Sequence, residues 1–259
     1  MSRSPPHPRI DQLLSRLGYG SRREVGVWLR AGRVRSGGAP VKTPSQRVDP
    51  ATIRVDGEPL DHPDGVLALL NKPAGFVCSH DPRDGARVYD LLPEQWLHRR
   101  PPVSSVGRLD RETTGLLLLT DQGDLIHALT HPRRAFAKVY RVHVDHPLAD
   151  ELIDRFGAGH LMLPGERTPC RPAELWLKTE TEAELTLHEG RYQQVRRMFA
   201  SQGYRVEHLE RIAHGPLRLA DYDLDPGEYR ELPRPWANAL RDGTDPPRHH
   251  DSDTTIDAG

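Results

Sequence analysis

The stretch "SSVGRLDRETTGLLLLT", residues 104–120, decides how the chain is read. Its second half, "GLLLLT" (115–120), is an apolar run preceded by turn residues, the pattern of a strand buried in a core. Its first half places a carboxylate, Asp110, between Arg108 and Arg111 at the mouth of that strand. The ordinary explanation of an acid before a strand is a turn or cap. Two features point beyond it. Flanking guanidinium groups keep a carboxylate ionised even when it is partly buried, which a nucleophile or base requires. A strand end is also a rigid mount for a reacting group.

Outward from this stretch, the chain reads as two unequal domains. Ile10, Leu13, Leu14 and Leu17 follow i, i+3, i+4, i+7 spacing and predict a helix ended by "GYG" (18–20). "SRREVGVWLRAG" (21–32) predicts a second helix that opens on a capping box, Ser21 with Glu24, and stops at Gly32. "GRVRSGGAPVK" (32–42) predicts two short strands about Ser36-Gly37-Gly38, and "TIRVDGEPL" (52–60) a further strand with an Asp56-Gly57 turn. Residues 8–62 thus make a small α+β domain, and the polar "DHPDG" (61–65) reads as a linker.

The second domain, 64–236, carries the strands "VLALL", "GLLLLT", "KVYRVHV", "AELTLHE" and "RVEHLERI" and the helices "DLIHALTH" and "QVRRMFASQG". Strands outnumber helices and their connections vary in length, so the expected architecture is α+β with a mixed, largely antiparallel sheet flanked by helices. Residues 238–259 are too polar to bury anything and read as a disordered tail.

Composition narrows the function classes. The net charge of −1 conceals a polar distribution: residues 1–48 hold ten Arg or Lys against two acids, and residues 219–259 hold four Arg against ten acids. The basic end is the expected polyanion contact. Two cysteines, Cys78 and Cys170, form no CxxC pair, so neither a disulfide framework nor a structural zinc site is expected. "GYGSRR" has Arg23 where a dinucleotide fingerprint needs its third glycine, and no Walker loop is present. His127 and His131 are spaced for one helix face, but Ala128 stands where a zinc hydrolase has its glutamate. No metal, cofactor or membrane span is expected, and the chain is taken as a cytoplasmic monomer.

Three further segments bear on chemistry. Asp110 and Glu112 would share a face if extended, about 6 to 7 Å apart, which resembles a glycosidase pair; two neighbours on one segment are poorly placed to flank a scissile bond. In "EGRYQQVRRMF" (189–199), Val195, Met198 and Phe199 claim the core face, so one of Arg196 and Arg197 should turn inward and need a carboxylate, with Asp110 the candidate. In "AKVYRVHV" (137–144), Tyr140 reads as strand packing or as a ring that stacks on a base and moves a proton.

These segments resemble a known family. "GRLDRETTGLLLLTDQGDL" is similar to the Gly-Arg-Leu-Asp motif of bacterial ribosomal RNA pseudouridine synthases of the RsuA type, and "NKPAGFVCS", "KVYRV", "EGRYQQVRRMF" and "LDPGEYREL" resemble that family's other segments in the same order, over roughly residues 64–232. Residues 9–60 resemble the small RNA-binding domain named after ribosomal protein S-four. The resemblance implies isomerisation of uridine to pseudouridine in rRNA, with Asp110 the catalytic aspartate, Tyr140 the active-site tyrosine and Arg196 the basic residue that pairs with Asp110. It leaves open whether the aspartate attacks C1′ or removes the C2′ proton. By analogy Arg108 contacts RNA beside a flipped-out uridine, and Lys72 in "NKPAG" is a further RNA contact. Arg9, Arg22, Arg23, Arg33 and Lys42 are expected phosphate contacts. Tyr192 and Gln193 in "EGRYQQV", and "GFVCS" ahead of "DP", favour 16S rRNA, of the uridine 516 type, free or in a partly assembled small subunit. The alternatives are a 23S rRNA enzyme of the same family and a catalytically silent rRNA-binding assembly factor.

Overall fold

The computed structural model describes residues 7–131 and 136–244. The chain divides into two compact units, one of residues 7–66, 89–104 and 120–123, the other of the remaining described residues.

The first unit opens with α1 (Ile10–Arg16) and α2 (Arg22–Arg30). Ile10, Leu13, Leu14 and Leu17 are all buried and pack with Val25 and Leu29 of α2, as their spacing requires. The capping box at Ser21 forms: Ser21 N–H donates to Glu24 Oε2 at 2.7 Å, and Glu24 N–H donates to Ser21 Oγ at 3.3 Å. Four short antiparallel strands follow, β1 (Val34–Ser36), β2 (Ala39–Pro40), β3 (Ile53–Val55) and β4 (Glu58–Pro59), in the order β2-β1-β3-β4. Asp56 and Gly57 turn β3 into β4 with φ of 54° and 94°, the left-handed pair that a two-residue hairpin needs.

The first unit extends beyond the expected boundary. It takes in α3 (Glu94–His98) and residues 120–123, and "DHPDG" is not a free linker. The cause is Arg99, a buried guanidinium that needs acceptors on every side. Its Nε donates to Asp121 Oδ2 at 2.8 Å, and its two terminal nitrogens donate to the carbonyls of Asp61 and His62 at 3.1 and 2.8 Å. The Trp96 indole donates to Asp61 Oδ2 at 3.1 Å.

The second unit is built on β5 (Leu67–Lys72), β6 (Ser104–Ser105), β7 (Thr114–Thr120), β8 (Lys138–Val144), β9 (Glu174–Leu177), β10 (Glu182–Leu187), β11 (Val206–His214), β12 (Leu217–Arg218) and β13 (Tyr229–Glu231). Their order is β13-β5-β7-β11-β8-β10-β9, with β6 on β7 and β12 on β11. β7 runs parallel to β11, whereas β8, β9, β10 and β12 join antiparallel, as does β13 to β5. The sheet is mixed and largely antiparallel, as expected.

Two apolar cores clothe it. One packs β8 and β10 against α5 (Glu151–Gly157) and α6 (Gln194–Ala200) through Phe156, Met198 and Phe199. The other packs β5 and β7 against α4 (Gly123–Thr130) and α7 (Arg234–Asp242) through Leu125, Leu129, Trp236 and Leu240. Every residue of β5, and all but the first of β7, is buried, which explains their unbroken apolar runs. Part of the expected tail is therefore ordered: α7 runs through Asn238 to Asp242 because Leu240 continues the buried stripe of Trp236 and Ala237, and Arg241 Nε pairs with Asp124 at 2.7 Å. Residues 245–259 lie outside the described residues. Among those described, no helix is long and apolar enough to cross a membrane.

The parallel pairing of β7 with β11 depends on Gly115. Its φ is +96°, and a Cβ there would lie 2.4 Å from the Arg211 carbonyl oxygen. Gly115→Ala combines backbone strain with a clash against a neighbouring main chain and should cost about 3 kcal/mol or more. Urea denaturation would show it as a lower midpoint at unchanged m-value.

Candidate active site

The segment that ends in β7 is held from below by Lys72. This side chain is wholly buried at the end of β5, and its Nζ donates to the carbonyls of Pro73, Arg111 and Thr113 at 3.0, 3.0 and 2.8 Å. Gly75 N–H donates to the Arg111 carbonyl at 2.9 Å, and Thr113 N–H closes the Asp110 turn by donating to the Asp110 carbonyl at 3.1 Å. "NKPAG" and "LDRET" are thus stapled to each other. The expectation that Lys72 contacts RNA is corrected: with three donors engaged by three carbonyls in a buried site, it has none to offer a phosphate.

Asp110 projects half-buried from this staple. Among the described residues its carboxylate makes no ion pair and no side-chain hydrogen bond. Arg108 is exposed, and Arg111 turns away to donate to the Gly75 carbonyl at 3.2 Å, with Glu112 at 3.9 Å. The flanking arginines therefore do not pair with the carboxylate they bracket.

Asp110 lies on two cavities. One, of about 670 Å³, it shares with Arg108, Tyr140, Lys138, Arg211 and His214. The other, of about 690 Å³, it shares with Arg196, Arg141, Glu210 and His143. A smaller recess of about 70 Å³ is lined by Asp110, Arg108 and Tyr140. Tyr140 is half-buried on β8, and its hydroxyl has no hydrogen-bond partner among the described residues, which leaves it available to a ligand. Asp110 and Tyr140 are brought together. Arg196 meets Asp110 only across the second cavity, and the expected inward arginine paired to Asp110 does not form. The reason is local: Arg196 Nη1 donates to the Val206 carbonyl at 2.8 Å, while Arg197 pairs with Glu166 at 2.8 Å.

Residues 66–201 match the family model described as RNA pseudouridylate synthase, and residues 8–53 match the S4 domain. The chain belongs to the RNA pseudouridylate synthase family. It is 41% identical over 226 residues to the ribosomal small subunit pseudouridine synthase A of Yersinia pestis, covering 86% of this chain and 94% of the relative. It is 39% identical to the Escherichia coli K12 protein of the same name, covering 86% and 96%, and 38% identical to a Bacillus subtilis RNA pseudouridine synthase, covering 86% and 94%. A solved pseudouridylate synthase superposes with a TM-score of 0.63 at 33% identity, covering 90% of this chain and 99% of that one.

Sequence reading gives Gln193 of this pseudouridine synthase's site only as a marker of the rRNA branch and does not single out Lys138, Arg211 or His214. Gln193 lines all three cavities and holds a left-handed backbone, φ +46°, uncommon outside glycine. Lys138, Arg211 and His214 meet only because β8 and β11 pair in a register that sets Lys138 opposite His214 and Tyr140 opposite Arg211. The alternation of "KVYRVHV" puts Lys138 on the Tyr140 face, but nothing local supplies that register.

The basic residues of the S4 unit separate into two groups. Arg9 pairs with Asp11 at 3.0 Å, and Arg33 is forked onto Asp56 and lies 4.4 Å over the Trp28 ring. Both are held by internal partners. Arg22, Arg23 and Lys42 are exposed and unpaired among the described residues.

Lys72 and His214 are both buried titratable groups whose burial can be tested. Burial pushes the Lys72 ammonium from 10.5 down to about 8, a bias of roughly 3 kcal/mol against the charge. Three hydrogen bonds to a charged donor outweigh it at about 1.5 to 3 kcal/mol each. Lys72→Met should thus destabilise the protein by about 3 kcal/mol or more in chemical denaturation. His214 is held neutral by burial and by the charges of Arg211 and Lys138. The unfolded ring takes up a proton below about 6.5 whereas the native ring does not, so stability is lost as pH falls through that value, by up to about 1.4 kcal/mol per pH unit. In His214→Leu this component should disappear, which denaturation midpoints from about pH 5 to 8 would reveal.

Proposed function

We propose that this chain isomerises a uridine of 16S ribosomal RNA to pseudouridine, with Asp110 as the reacting carboxylate. The observation that carries the reading is the free Asp110 carboxylate, fixed by a buried staple at the mouth of a cavity that also holds the unpartnered Tyr140 hydroxyl. A cavity of about 670 Å³ lies within the range that takes a small ligand such as a flipped nucleotide. The names of the small-subunit relatives, and Tyr192 and Gln193 at the cavity rim, favour 16S rRNA, and we assign the target to a uridine of the 516 type.

In the reaction the N1–C1′ bond breaks with its electron pair leaving on the base. The base turns within the cavity, and C5 bonds to C1′. The proton on C5 is lost and N1 takes one up, so the composition is unchanged and no redox partner is needed. Asp110 acts at the ribose, Tyr140 stacks on the base and moves a proton, and Arg196 supplies positive charge across the second cavity. Arg22, Arg23 and Lys42 are assigned to backbone phosphates, which adds affinity without reading sequence. Arg108, exposed beside Asp110, holds the strand from which the uridine is flipped.

The test is tritium release from 16S rRNA carrying 5-tritiated uridine, on free RNA and on partly assembled small subunits. Stoichiometric release by the wild type, with a loss on the order of 10⁴-fold in Asp110→Asn as for removal of a reacting group, is the expected outcome. No release by the wild type on either substrate would leave a silent RNA binder as the better reading.

A further inference from the structure

The cavity that joins Asp110 to Tyr140 has a cationic floor without a counter-ion among the described residues. In the antiparallel β8–β11 ladder Tyr140 faces Arg211 and Lys138 faces His214, so these four side chains arise from paired positions beneath one cavity. Arg211 is 1% exposed. Its Nε donates to the Leu116 carbonyl at 2.7 Å, and its Nη2 is buried with no partner among the described residues. Among the same residues Lys138 reaches only the Phe136 carbonyl, at 3.4 Å, and both ring nitrogens of His214 are buried and unpartnered.

Among the described residues no acid compensates these groups. The two carboxylates on this cavity are Asp110 and Glu189, and Glu189 is consumed by Arg191 at 3.2 Å and Gln194 at 2.7 Å. The other cavity is the opposite case: its Arg141 is balanced by Glu210 at 2.9 Å and by Glu182 at 3.4 Å. A buried guanidinium with an idle donor is costly unless a ligand completes it. Burial, and after it the charge of Arg211, lowers the pKa of the Lys138 ammonium.

We propose that Arg211 donates from the cavity floor to a carbonyl oxygen of the uracil ring, with Lys138 adding charge, and so stabilises the base as it detaches as an anion. This rests on the isomerase reading of the same cavity. Heterolysis of N1–C1′ leaves a negative charge spread over N1, O2 and O4. A donor aimed at those oxygens binds the detached base more strongly than the neutral nucleoside, which is the condition for accelerating the bond-breaking step. Placed at O4, the same donor would also discriminate against cytosine, whose amino group replaces that acceptor; placed at O2 it would not. His214 stays neutral and closes the floor without adding a third charge.

Two measurements on the full chain test this. In single-turnover reactions with 16S rRNA, Arg211→Gln should lower the rate 10²- to 10³-fold, the usual effect of removing one such donor, with little change in RNA affinity. With 5-fluorouridine in place of uridine the departing base is more acidic and needs less help, so the loss of glycosidic cleavage should shrink to about tenfold or less. Lys138→Gln, a milder change at a half-buried position, should show the same pattern at smaller amplitude. Equal losses with both bases, or a loss confined to RNA affinity, would overturn the proposal.

The second measurement needs no RNA turnover. Wild type should bind free 5-fluorouracil more tightly than uracil, and both variants should lose that preference. Failure of wild type to bind either base, or displacement of the base by inorganic phosphate, would assign these cations to something other than the uracil oxygens. Base binding without tritium release would instead retain the floor and reject the isomerase.

Discussion

The ammonium of Lys72 is the constraint on which the site depends. A compact charge with three donors suits three converging carbonyls, and an arginine fork would not reproduce that geometry. By tying the segment that leaves β5 to the one that follows Asp110, it fixes the main chain at Arg111 and Thr113, next to Asp110, without touching its carboxylate. The positioning force and the reactive group are thus kept apart. A carboxylate held by its own hydrogen bonds would have to break them to react; one held through its backbone does not.

This arrangement also revises what the motif residues do. "NKPAG" reads as an RNA contact by its family resemblance, yet the lysine is interior and its work is structural. Arg111, next to the reactive carboxylate, is likewise turned to the Gly75 carbonyl rather than to Asp110. What the arginines around Asp110 leave behind is an unpaired acid at the junction of two cavities, and the charge facing it comes from strands distant in sequence.

Much of the architecture was legible because it rests on local pattern. The capping box at Ser21, the Asp56-Gly57 turn and "KVYRVHV" as β8 are each decided within a few residues. The contiguous domain boundary was not, because residues 89–104 join the first unit through Arg99, whose acceptors at 61, 62 and 121 carry no signature in sequence. α5 and α7 were missed for a related reason: each is under ten residues long, and its apolar stripe is interrupted by charges that point outward. In the site, Asp110 and Tyr140 stand out within their own segments. Arg211 and His214 do not, since an arginine and a histidine in "LERIAH" read as ordinary strand surface until the β11 register is known.

The two cavities that meet at Asp110 differ in a way that bears on direction of binding. On the Arg141 side the arginine is already paired with Glu182 and Glu210, so an anion entering there would compete with them. On the Arg211 side the floor holds a buried guanidinium and the half-buried Lys138 with no acid paired to either among the described residues, and the single free acid stands at the rim. Low dielectric amplifies both the cost of leaving that floor unanswered and the gain when an acceptor arrives. A ligand neutral on entry and negative midway through its reaction answers it best. The burial cost of Arg211 is then carried by the resting protein, and the compensating interaction appears only when the glycosidic bond opens.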